Sequence, residues 1–253
     1  MCRVLIDLSG TVHIGDSLTP RCKEALNRLT TSQIPYKFVT NTTKESKKSL
    51  VDRLNKLDLD IDPTKIYTSL TSARNYVTAR GLRPHLILSD DAMKDFYDVS
   101  QEDPNVVVVG LAPEKFNYES LNEAFQYLLN GAQLIAVHKG RYYRRHDDLA
   151  LGPGPFVAAL EYASNTDAVV IGKPASEFFM GALCGDMSCG GDVFMIGDDV
   201  VDDVGGAQNV GFKGILVRTG KYKEGDETKV DPPPFNVVDC LADAIDIILE
   251  MYQ

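Results

Sequence analysis

The sequence predicts an α/β protein, a doubly wound parallel sheet into which a second α/β domain is inserted. Three observations predict it. Short apolar runs alternate with amphipathic segments along most of the 253 residues, the rhythm of consecutive βαβ units. Some of those runs stop on carboxylates, "VLID" at Asp7 and "FMIG" just before Asp198. Ligands of a doubly wound sheet bind outside the carboxyl ends of its strands, so polar residues there point to a site. Finally, the chain exceeds the usual single-domain size, and a stretch of roughly residues 75–168 is bounded by the Gly- and Pro-containing "ARGLRP" and "IGKP" and has enough apolar residues for its own core.

Taken in order, "CRVLIDLSG" is the first strand and "TPRCKEALNRLTTS" a helix, with Thr19 as N-cap and Pro20 at the first helical position. "YKFVTNTT" is the next strand, and Thr42-x-x-Glu45 has the form of a capping box opening the helix in "KESKKSLVDRLNKL". The inserted domain, 75–168, has strands at "PHLILS", "NVVVVGL" and "QLIAVH" and helices at "NYESLNEAFQYLLNG" and "PFVAALEYAS". Residues 1–74 and 169–253 form the core domain. Its later part repeats the rhythm through "DAVVIGKP", "SEFFMGALCGDM", "DVFMIGDDV", "DDVGGAQNVG", "FKGILVRTG" and the closing helix "VVDCLADAIDIILEMY", with its strands in the same open sheet.

Composition narrows the function classes. A net charge of -10 works against a nucleic-acid partner, which would draw on clustered Lys and Arg. The five cysteines have no zinc-type pairing, and their odd number without a secretory leader predicts reduced thiols and a cytoplasmic protein. No stretch approaches the roughly 20 apolar residues that span a bilayer, so no membrane partner is expected.

Four strand ends gather chemistry: Asp7 with Ser9, Gly10 and Thr11; Thr40 with Asn41; Lys173 with Pro174; and Asp198 with Asp199, Asp202 and Asp203. Singly, each has a plainer explanation. A carboxylate after a strand caps a turn, Thr-Asn caps a helix, and Lys before Pro is a surface cation. The acids of "GDDVVDD" are harder to explain away, since they repel one another unless a cation or basic group neutralises them.

In order along the chain, "DLSGT", "VTNTT", "GKP" and "GDDVVDDV" resemble the four motifs of the haloacid dehalogenase superfamily, in the subgroup with a large C2-type cap between the second and third motifs. The resemblance covers essentially the whole chain. It implies a Rossmann-like core, a cap at 75–168, and a Mg²⁺-dependent phosphohydrolase that passes through an aspartyl-phosphate on a small phosphorylated substrate. Asp7 would be the nucleophile and a metal ligand, with Ser9 contributing its backbone carbonyl to the metal. Thr40 and the Asn41 amide would hold the phosphoryl group, and Lys173 would offset negative charge. Asp198 would bind Mg²⁺ directly, and Asp203 directly or through water; the parts of Asp199 and Asp202 stay open. The resemblance also allows a homodimer through the cap.

One position departs from the pattern. Most members carry a second Asp two residues after the nucleophile, the acid that protonates the leaving group, and here stands Ser9. Losing a positioned acid costs on the order of 10²–10⁴-fold in rate. Leaving groups that need no such proton are therefore expected: phosphoramidates, pyrophosphate, aryl or acyl phosphates. The alternative is a member that keeps the fold and metal site but binds phosphate or a partner with little turnover. His13, just past the first motif, is another source of the proton. The basic run "HKGRYYRRHDD" (138–148) is either a substrate-focusing patch or a solvated hairpin.

Overall fold

Strand β1 (Cys2–Asp7) is buried at all six positions. An element buried on both faces belongs in the middle of a covered parallel sheet. The computed structural model, which describes residues 2–145, 148–184 and 190–252, bears this out. With β2 (Tyr36–Thr40), β3 (Ile66–Thr68), β4 (Asp192–Gly197), β5 (Lys213–Val217) and β6 (Asn236–Val238), β1 forms a six-stranded sheet in the order β6-β5-β4-β1-β2-β3. The pairings of β1 with β2 and β4, of β4 with β5, and of β5 with β6 are parallel. The order reverses between β1 and β4, and at such a switch point the carboxyl ends of adjacent strands open a crevice. Register decides what lies there. Ile6 pairs with Ile196, so β1 ends on Asp7 where β4 runs out into Asp198, while Asp7 pairs with Val39, one residue before Thr40.

Apart from Thr68, this sheet belongs to one compact unit, Met1–Thr40, Val51–Tyr67 and Lys173–Gln253. Leu5, Val39, Phe178, Phe179, Val193, Met195 and Ala207 form one of its apolar clusters. Helix Cys22–Thr31 buries Cys22, Ala25, Leu26 and Leu29, and helix Leu241–Tyr252 buries Leu241, Ile245, Ile248 and Leu249. Both spacings make one helical face apolar. Arg21, just before the first helix, pairs with Asp243 of the second at 3.1 Å.

The second unit takes Asn41–Leu50 and Thr68–Gly172. Its parallel sheet orders Val169–Val170, Gln133–Ala136, Val106–Val109 and Pro84–Ile87 side by side. Val106 and Val108 enter one apolar cluster, Val107 and Val109 the other, as the strand's twofold alternation requires. This unit is wider than the expected 75–168. Helix Ser69–Ala79 sends Leu70, Ala73 and Val77 into the same cluster as Leu86 and Val106. Within 41–50, Thr43 Oγ1 accepts the Leu111 N–H at 3.2 Å, and the Ser46 N–H donates to Asp91 at 2.8 Å.

Local expectations fail in four places. Val169–Val170 pairs with Ile135–Ala136 in the second unit's sheet and not in the core sheet. Thr19 caps no helix, because its hydroxyl donates to the Thr11 and Val12 carbonyls, and the helix starts at Cys22 behind Arg21. The Thr42–Glu45 box is bypassed: the helix starts at Lys47, and Ser46 Oγ accepts the Ser49 N–H at 3.2 Å. Strand β3, three residues long, carried too short a pattern to be anticipated. In the basic run, Tyr142–Arg145 pairs with Asp148–Leu151 as a hairpin, and Lys139 is bonded to Glu161 at 2.7 Å. His146, Asp147 and Cys189 lie outside the described residues; Cys2, Cys22, Cys184 and Cys240 are thiols without disulfides.

Candidate active site

Lys173 is the centre of the site. Only 4% exposed, its ammonium donates to Asp7 Oδ1 at 2.5 Å, to Asp203 Oδ1 at 2.6 Å and to the Val39 carbonyl at 3.4 Å. By itself, burial would lower this lysine's pKa; the Asp203 and Asp7 charges outweigh that and hold it above the ordinary value. The plain reading of Lys173 as a surface cation is thus overturned. Asp198 joins the two carboxylates: Asp7, Asp198 and Asp203 are all buried, and each brings an oxygen within 4.8 Å of the others.

The segment after β4 gives Asp199 and Asp203 definite places. Asp199 Oδ1 accepts the N–H groups of Val201 and Asp202 at 3.1 and 3.0 Å, capping a π-helical turn, Val200–Gly205, that carries Asp203 inward. Asp203 Oδ2 accepts the Asp199 N–H at 3.2 Å, and Lys221 Nζ lies 3.0 Å from Asp199 Oδ2. Burial works against ionisation of Asp199, yet Lys221 and the two amides hold its pKa low. The repulsion foreseen for "GDDVVDD" is therefore offset at two points, by Lys173 and Lys221.

It is not offset everywhere. Asp198 is pushed up to about 7, by burial first and then by the charge of Asp7. Burial also lifts Asp203 well above the carboxylate range despite Lys173, and burial with Asp199 nearby pushes Asp202 up to about 6. Three clustered carboxylates with one shared ammonium are short of positive charge. A hard divalent cation, which takes carboxylate oxygens and water, matches that donor set and that deficit.

The first-motif turn is equally constrained. Gly10 has φ +101, and a Cβ there would fall on the Asp198 carboxylate. Ser9 is exposed and bridges His13, which is itself buried with Nδ1 2.9 Å from the Gly15 carbonyl. Thr40 is buried at the end of β2, next to the strand that carries Asp7. Asn41, the next residue, is assigned to the second unit. The strand-end rule thus leads to Asp7, Thr40, Lys173, Asp198 and Asp203. The end of β5 is a further contributor: Thr219 bonds the Gly10 carbonyl, and Gly220 and Lys221 lie against the Asp198 carboxylate; the Gly in "VRTGK" is the sequence signal for that turn.

An open parallel sheet with buried carboxylates and a lysine at its switch point defines a Rossmann-like α/β protein with a site for a divalent cation. Residues 4–115 match the haloacid dehalogenase-like hydrolases, and residues 170–244 match the HAD-hydrolase-like family. The chain belongs to this hydrolase family. It is 56% identical over 247 residues to haloacid dehalogenase-like hydrolase domain-containing protein 2 of Rattus norvegicus, covering 98% of this chain and 95% of the relative. It is 38% identical to the phospholysine phosphohistidine inorganic pyrophosphate phosphatase of the same species, covering 98% and 94%. Among solved structures, the glycerol phosphate phosphatase of Mycobacterium tuberculosis in complex with magnesium superposes with a TM-score of 0.83 at 26% identity, covering 94% of this chain and 74% of that one. No helix among the described residues is long and apolar enough to cross a membrane.

Proposed function

We propose that this hydrolase is a Mg²⁺-dependent phosphatase that works through an aspartyl-phosphate on Asp7 and acts on small molecules whose phosphoryl group sits on a good leaving group. The observation that carries the reading is the Lys173 ammonium between Asp7 and Asp203, with Asp198 completing the carboxylate cluster. Asp7, Asp198 and Asp203 would hold the cation with the Ser9 backbone carbonyl. When bound, it would offset charge on the phosphoryl oxygens and the nucleophile. Lys173 orients the Asp7 carboxylate, its ammonium donating to Oδ1. Asp7 attacks phosphorus, the bond to the leaving group breaks with its electron pair, and water then attacks phosphorus, releasing phosphate and restoring Asp7. The Thr40 hydroxyl and the Asn41 amide are assigned to the phosphoryl oxygens.

Ser9 selects the leaving group. A serine hydroxyl is a poor proton donor at neutral pH, so an alkoxide would depart badly. A phosphoramidate nitrogen can carry its proton before cleavage, while pyrophosphate, aryl and acyl phosphates leave as stable anions. The phosphatase named for phospholysine, phosphohistidine and pyrophosphate supports this choice of substrates.

The test is phosphate release by the purified protein with and without Mg²⁺, on phospholysine, pyrophosphate, an aryl phosphate and a sugar phosphate, with Asp7→Asn alongside. Release that requires both Mg²⁺ and Asp7, and that is slowest on the sugar phosphate, is expected. Equal efficiency on sugar phosphate and phosphoramidate refutes the leaving-group argument. Release at the Asp7→Asn level throughout refutes the phosphatase reading in favour of a binding protein.

A further inference from the structure

We propose that the tripeptide Thr219–Gly220–Lys221, in the turn after β5, is a positioning element that aims the Asp198 carboxylate and the first-motif peptides at the cation. The inference rests on the reading of this cluster as a Mg²⁺ site. Four observations carry it, one each from Thr219 and Gly220 and two from Lys221.

Thr219 Oγ1 donates to the Gly10 carbonyl at 2.5 Å, while the Gly10 N–H donates to the His13 carbonyl at 2.7 Å. Two consecutive peptides, 9–10 and 10–11, are thereby held. In a planar trans peptide the C=O points opposite to the N–H, so the bond from Gly10 to His13 turns the Ser9 carbonyl away from His13. The Thr219 bond keeps the next peptide from rotating and undoing that orientation. Gly220 has φ +57, and a Cβ on it would meet the Asp198 carboxylate and the Gly10 Cα, so the turn lies directly against both. The Lys221 N–H donates to Asp198 Oδ2 at 2.7 Å. Asp198 has no other donor among the described residues, so Oδ1 remains for a cation. The Lys221 ammonium holds Asp199, the cap of the turn that carries Asp203.

One short turn therefore touches every backbone segment of the cluster except that of Lys173. None of its contacts requires it to meet the substrate. Its effect on catalysis passes through the orientation of ligand oxygens, and groups of this kind typically change metal affinity or activity by about 10–100-fold.

Calorimetric titration of the metal-free, full-length protein with Mg²⁺ tests the proposal. Thr219→Val keeps the shape and removes the hydroxyl; it should weaken Mg²⁺ binding by about 10–100-fold while the circular dichroism spectrum of the metal-free protein is unchanged, and Thr219→Ser should recover most of the loss. Lys221→Met keeps the main-chain bond to Asp198 but releases Asp199, and should weaken binding by about tenfold even if the valine variant does not fold. Native-like affinity in Lys221→Met together with native-like affinity in a folded Thr219→Val overturns the proposal, as does a serine variant no better than the valine one. Absence of Mg²⁺ binding by the native chain overturns the metal-site reading as well, which separates the two failures.

Discussion

Replacing Lys173 by Met removes a buried cation and leaves a side chain of similar reach. In the native protein the ammonium is shared between Asp7 and Asp203 at 2.5 and 2.6 Å, with 4% of the lysine exposed. Removing one partner of a buried ion pair costs about 3–5 kcal/mol, because the remaining charge is buried without compensation. For a chain of this size about 2–4 °C of midpoint accompanies each kcal/mol, so the metal-free variant should unfold roughly 6–20 °C below the native protein. The chain has no tryptophan, so far-ultraviolet circular dichroism in chelator is the appropriate probe. The loss should also depend on pH. Lys173 is the charge that pulls the Asp203 pKa down, so without it Asp203 rises further. A carboxyl raised in the folded state contributes stability below its unfolded pKa and loses it as pH rises toward the folded value. Acidification from pH 8 to 5 should therefore recover part of the deficit. A variant midpoint equal to the native one at both pH values would refute the assignment of Lys173 as the counter-charge of the cluster.

Two further outcomes follow from the same electrostatics and from Ser9. With Asp198 pushed up to about 7, the metal-free native protein should lose stability as pH rises from about 4 to 7, at up to about 1.4 kcal/mol per pH unit, and Mg²⁺ should abolish most of that slope; thermal scans across the range check it. Ser9→Asp supplies the missing acid and should raise turnover of an alkyl phosphate relative to an aryl phosphate, by up to the 10²–10⁴-fold typical of a positioned acid, and an unchanged ratio in steady-state assays would exclude Ser9 as the reason for slow alkyl turnover.

Much of the site was legible because strand ends are local signals. An apolar run that ends on Asp7, or on Gly197 before Asp198, announces a buried strand that delivers a carboxylate, and that inference needs no partner strand. Residues whose role depends on a remote partner were not legible in this way. Lys173 alone reads as a surface cation and becomes a buried counter-ion only because Asp7, 166 positions away, and Asp203, 30 positions away, converge on it. Thr19 looked like a helix cap from its neighbours but bonds the Thr11 and Val12 carbonyls. Strand Val169–Val170 has the composition of a core-sheet strand, and only its pairing with Ile135–Ala136 assigns it to the other unit.

By itself, then, the sequence determined the fold class and the hydrolase family and singled out the acids that the structure gathers into one cluster, since hydrophobic period and motif order are properties of contiguous residues. The tertiary structure decided which charges neutralise one another, where the two units divide, and that the turn Thr219–Lys221 lies against the Asp198 carboxylate. Those depend on register and sheet order, which bring together strand ends that chain spacing leaves apart.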